Sequence, residues 1–129
     1  MIRSTLTLML CAASMLAALP EKAVAENWIP LGSDSNGSKY SIDVDSISSK
    51  SDRIEFWSMV DASSDATVKY RERKTLLRID CKAKRLGTIY SVTYYPNGTN
   101  DSYGPFDYAS LSPIVPGTIG QWMHEFICS

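Results

Sequence analysis

Three cysteines, Cys11, Cys81 and Cys128, are the residues of this 129-residue chain with the most distinctive chemistry. Cys11 lies in an apolar N-terminal run, whereas the other two lie in a strand-like and a helix-like segment. Two cysteines that remain in an exported chain are expected to pair, because compartments outside the cytoplasm are oxidising. The sequence therefore predicts a disulfide between Cys81 and Cys128, with two separate buried thiols as the alternative.

The other reactive side chains do not form a familiar catalytic or metal-binding set. The chain has one histidine, His124, and it lacks both the spacings of common zinc sites and a G-x-S-x-G nucleophile motif. Asp43 and Asp45 lack the glycine and the terminal glutamate of a calcium loop. We therefore expect no metal site, no cofactor and no enzymatic activity. The enzymatic alternative is a small hydrolase or nuclease that uses His124.

The charged side chains form an acidic stretch followed by a basic one. The formal net charge is −1, but acids predominate from 34 to 65 and bases from 69 to 85. Because the total charge is not basic, nucleic acid is not the expected partner. The bases predict a surface for an acidic macromolecule, and the alternative is that they pair with the neighbouring acidic strand. The predicted binding residues are Arg71, Arg73, Lys82, Lys84 and Arg85.

The N-terminal segment predicts export. Arg3 precedes an apolar run at 6–19, and an A-x-A cleavage motif follows at 23–25. The run is shorter than the roughly 20 residues that a membrane span requires. We therefore expect residues 1–25 to be a secretory signal peptide and residues 26–129 to be one mature domain without a membrane span. The expected location is the periplasm, the cell surface or the medium.

The hydrophobic pattern of the mature chain predicts a β-rich domain. Alternating or short apolar segments predict strands at 27–32, 39–42, 53–62, 68–81 and 85–95. Pro30 favours an edge position for the first strand, because proline cannot donate a ladder hydrogen bond. Residues 43–47 are predicted to form a helical turn or tight bend, and residues 99–105 a loop. In the last strand, the even-numbered residues from 86 to 94 are expected to share one face.

One helix is predicted at the C-terminus. Its apolar residues recur at helical spacing and form one stripe: Ile119, Trp122, Met123, Phe126 and Ile127. Thr118 and Gln121 have the spacing of a capping box. Because the stripe needs an apolar partner, the expected fold is α+β, with an antiparallel β-sheet of about five or six strands packed against one C-terminal α-helix.

Several of these motifs resemble those of a known family. Three of these motifs lie at 40–43, 74–81 and 113–118, and the fourth is the single residue Cys128. In this order they resemble the surface-adhesin protein E family of Gram-negative bacteria. The resemblance implies a sheet bridged to a C-terminal helix by a disulfide, in an outer-membrane lipoprotein that binds host matrix and plasma proteins. This chain departs from that pattern because no lipobox precedes Cys11.

The expected function is that of an exported, non-enzymatic binding module that contacts host matrix proteins or acidic polymers. One alternative is a periplasmic protein inhibitor of the lysozyme-inhibitor type, which would use a loop at 100–107. Another is a periplasmic protein with a structural role. No particular oligomeric state is predicted.

Overall fold

The computed structural model describes residues 26–106 and 110–129, and the predicted signal peptide at 1–25 lies outside them. The described chain forms one antiparallel sheet followed by one helix. The elements are β1 (Trp28–Ser33), β2 (Lys39–Lys50), β3 (Arg53–Asp61), β4 (Glu72–Asp80), β5 (Arg85–Tyr94), β6 (Asn100–Tyr103), β7 (Ser112–Pro113) and α1 (Ile119–Cys128). Strands β1 to β6 neighbour one another in sequence order, and β7 pairs with β5. The predicted α+β fold is confirmed, and Pro30 lies in the edge strand β1.

The core lies between one face of the sheet and α1. Ile42, Phe56 and Ile79, from three neighbouring strands, have no solvent exposure. Met123 of α1 packs against them together with Leu77. The alternation that predicted β3 places every second side chain on this face. The opposite face of the sheet is therefore free of the helix.

Strand β2 is longer than predicted because a bulge replaces the expected bend at 43–47. Its register with β3 shifts between Asp43 and Ser48. The Ser46 hydroxyl donates to the Asp43 carbonyl at 2.6 Å and accepts from the Trp57 N–H at 2.8 Å. A side chain thus bonds to the backbone where the strand ladder is interrupted. The predicted helical turn is wrong because this contact with β3 keeps the segment extended.

Strand β5 also carries a bulge, which overturns the prediction that the even-numbered residues from 86 to 94 share a face. The register with β4 shifts between Leu76 and Leu77. Leu86 therefore lies opposite the core residue Ile79, while Tyr90 lies opposite Leu76 on the other face. A one-residue shift exchanges the faces of all later side chains. The tyrosines of β5 are consequently directed away from the core.

Two further boundaries differ from the prediction. Strand β4 begins at Glu72 rather than at residue 68, and residues 68–71 belong to the preceding connection. Residues 100–103, predicted as a loop, form β6 and pair with the end of β5. The first half of the predicted inhibitor loop at 100–107 is therefore an edge strand, and its last residue, Asp107, lies outside the described residues.

The start of α1 differs from the predicted capping box. Thr118 occupies the N-cap position, but its hydroxyl donates to the Val115 carbonyl at 2.6 Å and caps no helical N–H. Gln121 Oε1 accepts from the Gly117 N–H at 2.6 Å. The glutamine side chain therefore bonds to the N–H of Gly117, one residue before the Thr118 N–H that a capping box would use. Over residues 26–106 and 110–129, no helix is long and apolar enough to cross a membrane.

A buried carboxylate joins the β1–β2 turn to the β3–β4 connection. Asp65 accepts hydrogen bonds from the Ser38 hydroxyl at 2.6 Å and from the Thr67 N–H at 2.9 Å. Both Ser38 and Asp65 are buried. The hydrogen bond from Ser38, followed by those from Thr67, holds the pKa of Asp65 below its usual range. The ionised carboxylate is therefore the form that the fold favours.

We expect Asp65 to make the stability of the protein depend on pH. Because the pKa of Asp65 is lower in the folded state, its contribution is present above the ordinary aspartate pKa of 3.8 and is lost as the pH falls below it. Asp65→Asn should therefore unfold at lower urea concentration at pH 7, and the difference from wild type should shrink at pH 3. Asp52→Asn, in an exposed turn, is the control. A difference for Asp65→Asn that stays constant with pH would contradict this assignment.

Candidate functional site

The predicted disulfide is present and holds α1 on the sheet. Cys81 follows β4, Cys128 ends α1, and their Cα atoms are 5.6 Å apart. His124 Nε2 lies 3.0 Å from the Cys81 carbonyl oxygen, so the half-buried histidine supports the same junction. In the described part of the chain, no group of three or more histidine, cysteine, aspartate or glutamate side chains is arranged to hold a metal ion. His124 thus makes a structural contact where α1 meets the end of β4.

The five predicted binding residues fall into two groups at opposite ends of β4. Arg71 and Arg73 lie at its beginning, and Lys82, Lys84 and Arg85 lie in the hairpin after its end. The nine residues of β4 separate the groups by roughly 25 Å at about 3.3 Å per residue. The five residues therefore do not form one surface.

Arg73 is largely engaged within the fold. Its guanidinium carbon lies 4.2 Å from the centre of the Tyr70 ring, and its Nε donates to Thr93 Oγ1 at 2.9 Å. The side chain of Arg71 is exposed, while its backbone bonds to Ala62 and Tyr94. These contacts indicate that Arg73 mainly stabilises this end of the sheet.

The hairpin group is extended by two bases that the sequence reasoning missed. Lys50 and Arg53 flank the β2–β3 turn, which lies at the same end of the sheet as the β4–β5 hairpin because alternate turns of an antiparallel meander share an end. Arg53 Nε is 3.8 Å from Asp80 Oδ2, which links the two hairpins. We call this surface the basic end. It comprises Lys50, Arg53, Lys82, Lys84 and Arg85.

Four side chains of the basic end are exposed: Lys50, Lys82, Lys84 and Arg85. Among residues 26–106 and 110–129, no carboxylate lies within ion-pairing distance of them. Arg85 Nε donates to the Leu111 carbonyl at 3.2 Å. The alternative interpretation, in which the bases pair with the acidic strand, holds instead for Arg78, whose Nη2 lies 3.4 Å from Glu55 Oε1. The hairpin thus presents positive charge to solvent.

A groove of about 640 Å³ lies on the sheet face opposite α1. Its lining includes one half-buried aromatic side chain from each of three alternate strands: Trp28 on β1, Trp57 on β3 and Tyr94 on β5. Trp57 is on this face because it follows the core residue Phe56, and its ring meets that of Tyr90 edge-on with centroids 6.1 Å apart. We call this feature the tryptophan groove. The sequence signal for it was the second face of β3, which carries Trp57 beside charged residues.

Two of the charged side chains that line the tryptophan groove, Glu26 and Lys74, are paired with each other. Lys74 Nζ lies 3.6 Å from Glu26 Oε1 and 5.7 Å from the centre of the Trp28 ring. The Trp28 indole N–H donates to Glu26 Oε2 at 2.9 Å. This hydrogen bond, together with the charge of Lys74, holds the pKa of Glu26 below its usual range. Glu26, Trp28 and Lys74 therefore form one connected wall.

Glu55 lies in the same groove and has an unused hydrogen-bond acceptor. The residue is 9% exposed, and Arg78 contacts its Oε1. Its Oε2 is buried and has no hydrogen-bond partner within the described residues. A buried polar atom without a partner costs about 1–3 kcal/mol, so most folds avoid one. Glu55 therefore brings a free hydrogen-bond acceptor to the lining of the groove.

Comparison with known proteins assigns the family. The family model described as surface-adhesin protein E matches residues 28–129. The chain belongs to the surface-adhesin protein E family. No curated protein sequence matches it. The resemblance predicted from the motifs around Cys81, Gly117 and Cys128 is thus confirmed.

Solved structures of Haemophilus influenzae protein E share the fold of this family member. One crystal form superposes with a TM-score of 0.57 at 17% identity, covering 78% of this chain and 86% of that one. A structure of protein E from non-typeable Haemophilus influenzae gives a TM-score of 0.54 at 16% identity, covering 84% of this chain and 80% of that one. At such identities the likeness establishes the architecture, a sheet with one C-terminal helix.

Proposed function

We propose that this member of the surface-adhesin protein E family is an exported, non-enzymatic adhesin of a Gram-negative bacterium. Its basic end would contact a host matrix protein or another acidic macromolecule. The observation that carries the proposal is the exposed charge of Lys82, Lys84 and Arg85. Residues 1–25 would serve as the signal peptide, which would leave the family domain as the exported protein.

The geometry of the basic end supports binding of an extended anionic partner. Two hairpins project from the same end of the sheet, and together they carry five bases and two acids, Asp52 and Asp80. Asp80 is already engaged, because its Oδ1 accepts from the Ala83 N–H at 2.9 Å and its Oδ2 faces Arg53. Clustered exposed charge of one sign accelerates association with the opposite sign and is screened by salt. The partner should therefore bind more weakly at high ionic strength.

Charge reversal at the basic end should weaken binding to an acidic polysaccharide. We expect Lys82→Glu plus Lys84→Glu to raise the Kd for heparin roughly tenfold at low salt, since each exposed ion pair contributes about 0.2–1 kcal/mol and a tenfold change is about 1.4 kcal/mol. The matched control is Lys69→Glu plus Arg71→Glu, which makes the same charge change at the other end of the sheet, where both side chains are also exposed. Elution from a heparin column and calorimetric titration provide the two measurements.

Equal weakening by the two double variants would mean that total charge, rather than the basic end, determines binding. The location of the protein provides an independent check. Intact cells probed with an antibody should display the protein, and fractionation should not place it solely in the periplasm. A protein confined to the periplasm would contradict adhesion.

A further inference from the structure

The tryptophan groove has the size and composition of a ligand site that the basic end does not explain. Its volume of about 640 Å³ lies within the usual range of small-ligand pockets. The helix packs on the other face of the sheet, so Trp28, Trp57 and Tyr94 remain half-buried rather than covered by α1. Aromatic side chains that stay accessible offer large, rigid contact areas. The groove therefore presents aromatic side chains from three alternate strands.

The charges of the groove favour an uncharged ligand. Lys74 is paired with Glu26, and Arg78 is paired with Glu55, so both signs are already compensated locally. An anionic ligand would approach Glu26 and Glu55, while a cationic one would approach Lys74 and Lys50, which also lies at the groove. Asp43 and Lys50 also line the groove and lie outside these two pairs, so one charge of each sign remains and neither sign predominates. A neutral ligand can use the same groups as hydrogen-bond donors and acceptors.

Glu55 favours a ligand that carries a hydrogen-bond donor. Its Oε2 is buried without a partner, while its Oε1 is occupied by Arg78. A hydroxyl group can donate to such an oxygen without bringing a charge. A ligand that combines many hydroxyl groups with apolar C–H faces would therefore meet both features of the groove, and saccharides have this combination.

We propose that the tryptophan groove binds a neutral saccharide chain. Sugar rings pack against Trp28 and Trp57, and one hydroxyl donates to Glu55 Oε2 after a small shift of the lining side chains. Glu26 and Lys74 provide further acceptors and donors at the wall. The site is separate from the hairpin of the basic end, with Lys50 at the boundary between them.

The three tryptophans allow a test without any substitution. Trp28 and Trp57 line the groove, whereas Trp122 lies on α1. Chitotetraose and a neutral lactosamine tetrasaccharide would be titrated into the isotopically labelled protein while the indole N–H signals are followed by NMR. We expect the signals of Trp28 and Trp57 to shift and that of Trp122 to stay. Shifts with chitotetraose alone would indicate a cell-envelope glycan, and shifts with lactosamine alone a host glycan. No shift of either groove signal with either saccharide would overturn the proposal.

Substitutions sharpen the same test. Trp28→Ala should raise the Kd for the bound tetrasaccharide at least tenfold by calorimetry, and Trp28→Phe, which retains a ring, should raise it less. Trp122→Ala is the matched control and should leave the Kd for the tetrasaccharide unchanged. Lys82→Glu plus Lys84→Glu should also leave this Kd unchanged. A failure of the saccharide proposal is therefore distinguishable from a failure of the adhesin proposal. Heparin and oligolysine serve as charged probes. Binding of either one in the groove with no response to the neutral saccharides would refute the inference.

Discussion

Replacing Cys81 and Cys128 by serine should lower the free energy of unfolding by about 4 kcal/mol. The bond joins residues 47 positions apart, and closing a loop of that length removes this much chain entropy from the unfolded state. For a domain of this size, each kcal/mol corresponds to roughly 4–8 °C in Tm, so the Tm should fall by about 15–30 °C. Urea denaturation and calorimetry of the purified protein measure the two quantities.

Reduction of the wild-type protein provides the control for this prediction. Reduced wild type and the double serine variant should have nearly the same urea midpoint, because both lack the covalent link. The helix should remain on the sheet in native conditions, since Met123 and the contact between His124 and the Cys81 carbonyl remain. Equal stability of the oxidised protein and the double variant would show that the disulfide does not constrain the unfolded chain appreciably.

The parts of the fold that the sequence predicted correctly are those whose structure is determined by the residues of the same segment. The face of β3 that contains Phe56 is largely apolar, and α1 has one apolar stripe, so the period of each segment predicts its structure. The extended segment at 43–47 has no local cause. It depends on the Ser46 hydroxyl meeting the Trp57 N–H, eleven positions away. A preference for a turn at Asp43 and Ser46 was overruled by pairing with another strand.

The candidate sites depend even more on topology. In the sequence, Arg71 and Arg73 belong to the same basic stretch as the hairpin bases. The sequence alone does not show that a strand places the two parts of this stretch at opposite ends of the sheet. The strand separates them, and the antiparallel order brings Lys50 and Arg53 to the hairpin instead. The tryptophan groove was missed for the same reason, because the sequence signal on the second face of β3 does not show which other strands complete the groove. The bulge opposite Leu76 and Leu77 decides which face the tyrosines of β5 occupy.

Phe56→Ala should be among the most destabilising single substitutions in the sheet, with a loss of about 3–5 kcal/mol. Phe56 has no solvent exposure and belongs to the core cluster with Ile42, Ile79 and Met123. Removing the ring loses the transfer free energy of the side chain and leaves a cavity that the strands on both sides cannot close, because their hydrogen-bonded spacing fixes them. Urea denaturation of the oxidised protein measures the loss.

Phe126→Ala is the matched control, since it deletes the same ring from α1, where the residue is 39% exposed. Much of that ring is already in contact with water, so its removal should cost well under half as much as the change at Phe56. Phe56→Leu, which refills part of the volume, should fall between the two. Equal losses for the two phenylalanines would place the stabilising contact on the outer flank of α1 rather than between the helix and the sheet. We expect Phe56→Ala to cost more than Phe126→Ala because Phe56 lies on the sheet face that α1 covers. The helix covers only this face, and the tryptophan groove therefore stays open on the other.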